Sequence, residues 1–186
     1  DDEYDYSATP TPTTASAAGL DQNRSYGQPD VVYGDAAEDA LLDLAQLEEL
    51  HEEAERMKIL GNKHMANQEY EQAYSAYSAA LQLSPVGPNS HVFLSNRAAA
   101  LLSLKKYGPA ATDAKRAVAL APTFGKAHAR LGQALYFLKR YDEAVAAYQD
   151  AIYYEPDNPV TQTYLEKAVA KLERRKSTTG DSVFAE

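Results

Sequence analysis

The sequence predicts an all-α fold: an α-solenoid of three stacked helix pairs, closed by a C-terminal capping helix. Two observations predict it. Five residue columns recur at a period near 34, and a charged amphipathic stretch follows the last copy.

The columns are read directly. Gly61, Ala98 and Gly132 share one position, followed by Tyr70, Tyr107 and Tyr141. Ala73, Ala110 and Ala144 come next, then Ala80, Ala117 and Ala151, then Pro85, Pro122 and Pro156. Small residues let two antiparallel helices approach closely. The tyrosine fills the wedge at the turn between them. The proline follows the second helix and blocks its continuation. Leu81, Val118 and Ile152 recur behind the alanines and are expected in the core. The spacing between the first two copies is longer because Pro88-Asn89-Ser90 is inserted in a turn.

In chain order, residues 1–37 are rich in Ser, Thr, Ala and Pro and carry few large aliphatic side chains. This composition predicts a disordered tail. Residues 38–53 place Leu41, Leu42, Leu44, Leu47 and Leu50 at helical spacing among Asp and Glu, an acidic amphipathic helix. It reads either as a packing extension of the next helix or as a partner-binding helix. The solenoid occupies 54–175, with repeats at 54–87, 91–124 and 125–158. One helix pair cannot bury its apolar face alone, whereas three stacked pairs can. A cap over 159–175 starts at Pro159, turns Leu165, Val169 and Leu172 inward, and sends Glu166, Lys167, Lys171 and Arg174 outward. Residues 176–186 read as a frayed end.

Charge is divided unevenly. Of 27 acidic and 18 basic side chains, 15 acidic and 2 basic ones lie in residues 1–57, which leaves the remainder of the chain mildly basic. An acidic protein is a poor candidate for nucleic acid, while a basic groove in the body suits a short acidic ligand. No apolar run approaches the roughly 20 residues that span a bilayer, so no membrane insertion is expected. The chain has no cysteine and no Gly-rich phosphate loop, and its four histidines are scattered. His51 and Glu55 sit at i and i+4 without an evident third ligand. We therefore expect no enzyme activity, no metal and no cofactor.

Polar residues break the packing pattern on the first helix of each repeat. These are Lys58 and Asn62 in the first, Asn96 in the second, and Lys126 and Arg130 in the third. In the repeat frame they fall on one helical stripe and its border, so three stacked helices aim them at one place. Lys and Arg make charge-assisted bonds to carboxylates, and Asn amides add orienting donors. A peptide C-terminus ending in Asp offers two carboxylates to such a set.

With these columns, residues 54–158 and the cap resemble the tetratricopeptide repeat. The five polar residues match the dicarboxylate clamp of co-chaperone domains in that family. Glu55-Arg56-Met57-Lys58 and Ser95-Asn96-Arg97-Ala98-Ala99-Ala100 are similar in texture to the small glutamine-rich tetratricopeptide co-chaperones. The resemblance implies a cytoplasmic adaptor that binds the acidic Glu-Glu-Val-Asp tails of Hsp70 and Hsp90. The alternatives are a structural scaffold within a larger complex, or the targeting domain of a longer enzyme. The chain departs from the pattern at Ser103, where some clamp domains carry Lys, in the insertion at 87–91, and in lacking a glutamine-rich tail.

The acidic front, tethered beside a basic groove, is expected to compete with an acidic ligand. Deleting residues 1–37 should tighten binding of an acidic peptide at low salt, with the gain shrinking as salt screens it. Calorimetric titration across a salt series measures this. Equal affinities at low ionic strength would refute it.

Overall fold

The computed structural model describes residues 36–180, with side chains from 43 to 177; of the tail expected over 1–37, residues 1–35 lie outside it, as do 181–186, while Ala36 and Ala37 already belong to a helix. The described residues form seven helices and no strand. They are α1 (Ala36–Ala66), α2 (Tyr70–Leu83), α3 (Ser90–Ser103), α4 (Tyr107–Leu120), α5 (Gly125–Phe137), α6 (Tyr141–Tyr154) and α7 (Pro159–Gly180). Consecutive helices pack on one another, and α1, α3, α5 and α7 also touch in series. The first helices of the three repeats thus stand side by side with the cap.

Two boundaries differ from expectation. The acidic helix over 38–53 and the first repeat helix are one continuous α1, because no Gly, Pro or capping residue interrupts the sequence between them. Its leucines Leu44, Leu47 and Leu50 are exposed, so this leucine stripe does not pack on the body, and close contact with the body begins at His51. The cap helix likewise runs past residue 175 to Gly180, since nothing in Lys176-Ser177-Thr178-Thr179 forbids helix.

The repeat columns are explained by contact. Ala73, Ala80, Ala110, Ala117 and Ala144 are fully buried, and Ala151 nearly so. Leu81 is buried, while Val118 and Ile152 are half-buried at the edge of the core. Tyr70, Tyr107 and Tyr141 each open a second helix. A Cβ at Gly61 would stand 2.5 Å from the Tyr77 ring, and one at Gly132 would stand 2.7 Å from the Tyr148 ring. The middle repeat carries Ala98 and Ala114 at the equivalent places, both buried. Glycine is therefore required where tyrosine stands opposite, and alanine suffices where the opposing residue is small.

The turns within the pairs share one construction. Gln68, Lys105 and Lys139 adopt the left-handed region, with φ of 64°, 58° and 61°. The residue after each donates its N–H back to His64, Leu101 or Leu135 at 2.8–2.9 Å. This is the Schellman closure of a helix C-terminus, made here without glycine. In the cap, Ala168 is buried, Leu165, Val169 and Leu172 are half-buried, and the charged face is exposed.

One ion pair locks the middle repeat. Arg97 of α3 grips Asp113 of α4 through Nε and Nη2 at 2.7 and 2.8 Å, and donates from Nη1 to Ser78 Oγ at 3.2 Å. Only 17% and 7% of the two side chains are exposed. The bond to Asp113 raises the Arg97 pKa above its usual value despite burial. Arg97→Ala leaves the Asp113 carboxylate buried and uncompensated, which should cost about 3 kcal/mol in urea denaturation. Arg97→Met combined with Asp113→Leu should recover most of that loss.

Candidate functional site

Stacking the odd-numbered helices brings the expected residues together in stages. Asn62 on α1 and Asn96 on α3 meet directly, with Asn96 Nδ2 donating to Asn62 Oδ1 at 3.3 Å. The same oxygen accepts the Tyr77 hydroxyl at 2.7 Å. Two donors on Oδ1 fix the orientation of the amide. The Asn62 NH2 group is left without an acceptor among the described residues, ready to donate to a ligand.

Arg130 on α5 reaches back to α3, where Nη1 donates to the buried Ser95 hydroxyl beside Asn96. The sequence places Arg130 on an exposed stripe, but the structure half-buries it between α3 and α5. Burial lowers its pKa from the usual value, while Tyr77 and Glu155 pull it back up. The guanidinium stays charged regardless. Burial in turn raises the Tyr77 pKa, against the pull of Arg130. A desolvated cation with most of its fork unused is well prepared to receive an anion.

Lys126 lies one turn before Arg130 and lines the same cleft against the cap, together with Gln133 and Tyr164. Its backbone N–H donates to Glu155 Oε1 at 3.1 Å, and its ammonium pairs with no carboxylate among the described residues. Lys58 differs, because its Nζ is held by Glu55 three residues earlier. The five residues thus occupy three adjacent helices. Asn62 accepts from Asn96 and Tyr77, Arg130 donates to Ser95 next to Asn96, Lys126 lies one turn from Arg130, and Lys58 is held by Glu55.

Two of the four histidines, His64 and His128, have bonded partners. His128 is buried, with Nε2 at 2.8 Å from the Pro122 carbonyl oxygen. His64 pairs with Glu69 at 2.5 Å, and that bond lowers the Glu69 pKa. Among the described residues, no three His, Cys, Asp or Glu side chains gather as a metal site.

Comparison with known proteins agrees with this architecture. The model of the tetratricopeptide repeat matches residues 125–158, the third repeat. The crystal structure of the Sgt2 tetratricopeptide domain from Aspergillus fumigatus is 33% identical and superposes with a TM-score of 0.63, over 67% of this chain and 82% of that one. The chain belongs to the tetratricopeptide repeat family. Small glutamine-rich tetratricopeptide repeat-containing protein 2 of Mycosarcoma maydis is 42% identical over 132 residues, 71% of this chain and 37% of that protein. This chain therefore spans little more than a third of that relative's length. The first tetratricopeptide domain of Spaghetti (RPAP3), solved bound to the HSP90 peptide SRMEEVD, is 31% identical with a TM-score of 0.62, over 66% of this chain and 95% of that one.

Sequence reasoning missed three residues that bond to the expected ones, namely Tyr77 on Asn62, Ser95 on Arg130 and Glu55 on Lys58. Tyr77 stands in the column opposite Gly61, so its ring was legible as packing but its hydroxyl was not. Ser95 adjoins Asn96 and faces inward. Glu55 was legible as a neighbour of His51, not as the partner of Lys58. Tyr77→Phe removes a donor from Asn62 and should cost about 1 kcal/mol of stability. It should also weaken acidic-peptide binding several-fold by freeing the amide to turn. Urea denaturation and calorimetric titration check the two effects.

Proposed function

We propose that this tetratricopeptide domain is a co-chaperone adaptor that takes the acidic C-terminal tail of Hsp70 or Hsp90 in its groove, with a cytoplasmic location. Lys58, Asn62, Asn96, Lys126 and Arg130 form a dicarboxylate clamp for that tail. The observation that carries the reading is the Asn62–Asn96 amide pair beside Ser95, which binds a half-buried Arg130, with Lys126 one turn away and without a carboxylate partner among the described residues. Lys126 and Arg130 supply most of the charge that holds the terminal carboxylates, and the two asparagines fix the peptide's direction. The likeness to a domain solved with an HSP90 peptide supports the same reading. No catalytic role is assigned to the domain, and no helix of the described residues is long and apolar enough to cross a membrane.

Titration with peptides ending in Ile-Glu-Glu-Val-Asp and Met-Glu-Glu-Val-Asp tests the proposal. Arg130→Ala should lower affinity by about 1.5–3 kcal/mol, roughly ten- to 150-fold, because Lys and Ala cannot reproduce a planar fork. Helix content should be retained, with stability falling by about 1 kcal/mol as Ser95 loses its partner. Amidating the peptide C-terminus should hurt the wild type strongly and the variant much less, since the two changes remove overlapping interactions. Equal binding of amide and free acid by the wild type would overturn the proposal. So would normal binding by Arg130→Ala alongside loss in the distant Lys171→Ala control.

A further inference from the structure

The groove carries its own anion. Glu55, one turn before Lys58 on α1, places one carboxylate oxygen on the Lys58 ammonium and accepts the Asn89 side-chain amide on the other, at 2.9 Å. Asn89 belongs to the insertion that lengthens the first inter-repeat turn. That turn is fixed in place. Ser90 Oγ donates to the Ser84 carbonyl oxygen at 2.7 Å, and Ser90 and Ser84 are both buried. The Asn89 carbonyl accepts the N–H groups of Val92 and Phe93 at 2.9 and 3.2 Å as α3 begins. Gly87 lies so close to α1 that a Cβ there would stand 2.8 Å from His51 Nε2. Glu55 is therefore restrained at both oxygens. The Glu55 and Lys58 side chains keep only 32% and 23% of their surface exposed, so solvent screens the pair incompletely.

The three cations of the clamp are consequently not equivalent. Lys126 offers an ammonium without a carboxylate partner among the described residues, and Arg130 offers most of its fork. Lys58 is already engaged. A ligand carboxylate that reaches Lys58 must share it with Glu55 or displace Glu55.

Resting on the clamp reading above, we propose that Glu55, held in position by Asn89 of the inserted turn, competes with the ligand carboxylate for Lys58 and so sets the affinity of the groove. Glu55 is a positioning residue that acts through Lys58 and does not itself touch the ligand. Asn89 favours the competing geometry by restraining the carboxylate that would otherwise rotate into solvent.

Calorimetric titration with the peptide SRMEEVD tests this on the full chain and four variants: Glu55→Gln, Asn89→Ala, Lys58→Ala and the double variant Glu55→Gln with Lys58→Ala. Glutamine keeps the size of Glu55 and the acceptor for Asn89 while removing the charge, so the fold should hold. Matching thermal melts would confirm that it does. Glu55→Gln should bind about two- to fivefold tighter at roughly 50 mM salt, the range set by a partly screened ion pair. The gain should shrink, without vanishing, near roughly 0.5 M salt. Asn89→Ala should gain in the same direction but less. In the Lys58→Ala background, Glu55→Gln should bring no gain, because the residue it competes for is absent. Unchanged or weaker binding by Glu55→Gln overturns the proposal, as does a gain that persists without Lys58. If wild type binds, Arg130→Ala fails to bind and Glu55→Gln is neutral, only the role of Glu55 falls. If wild type does not bind the peptide, the clamp reading falls with it.

Discussion

Close approach of two helices within each pair is the constraint on which everything else in this domain depends. Tyr77 and Tyr148 press their rings onto Gly61 and Gly132 at distances that leave no room for a Cβ. Fully buried alanines line the remaining seams. Short separations let each even-numbered helix pack between the odd-numbered helices before and after it, and the odd-numbered helices stand side by side. Were the pairs wider, Asn62 and Asn96 would no longer share a hydrogen bond across α1 and α3, and Arg130 would not reach Ser95. Core packing and groove chemistry are thus one problem. Tyr77 states this most directly, since its ring fills the core and its hydroxyl orients an amide of the groove.

Electrostatics refine what packing assembles. Arg97 and Asp113 neutralise each other inside the middle repeat, so this guanidinium is structural although it lies next to Asn96 in sequence. Arg130, by contrast, is withdrawn from water and bonded to a neutral hydroxyl, which leaves its charge for an anion. Lys58 sits between these extremes with a carboxylate one turn away. The same residue type carries different roles according to whether an acid stands within reach.

Much of this was legible in the sequence, element by element. The alanine and proline columns announced buried seams and helix stops, and the structure places each where it was expected. The joining of the acidic helix to α1 and the extension of α7 were harder to foresee, because helix boundaries without Gly, Pro or a capping residue leave no mark. The left-handed residues Gln68, Lys105 and Lys139 carried no signal either, since none is glycine or asparagine and their conformation is imposed by the turn they close.

The sequence by itself determined the helix pairs, their order and the small-residue seams. These follow from periodicity, and periodicity is a local property of the chain. Tertiary structure alone decided how far Arg130 is buried, that Tyr77 bonds Asn62 and Ser95 bonds Arg130, and that Glu55 reaches Lys58 and Asn89 together. The physical reason is that hydrogen bonding and desolvation depend on the distance between side chains from different helices. Such distances are fixed only when the helices pack.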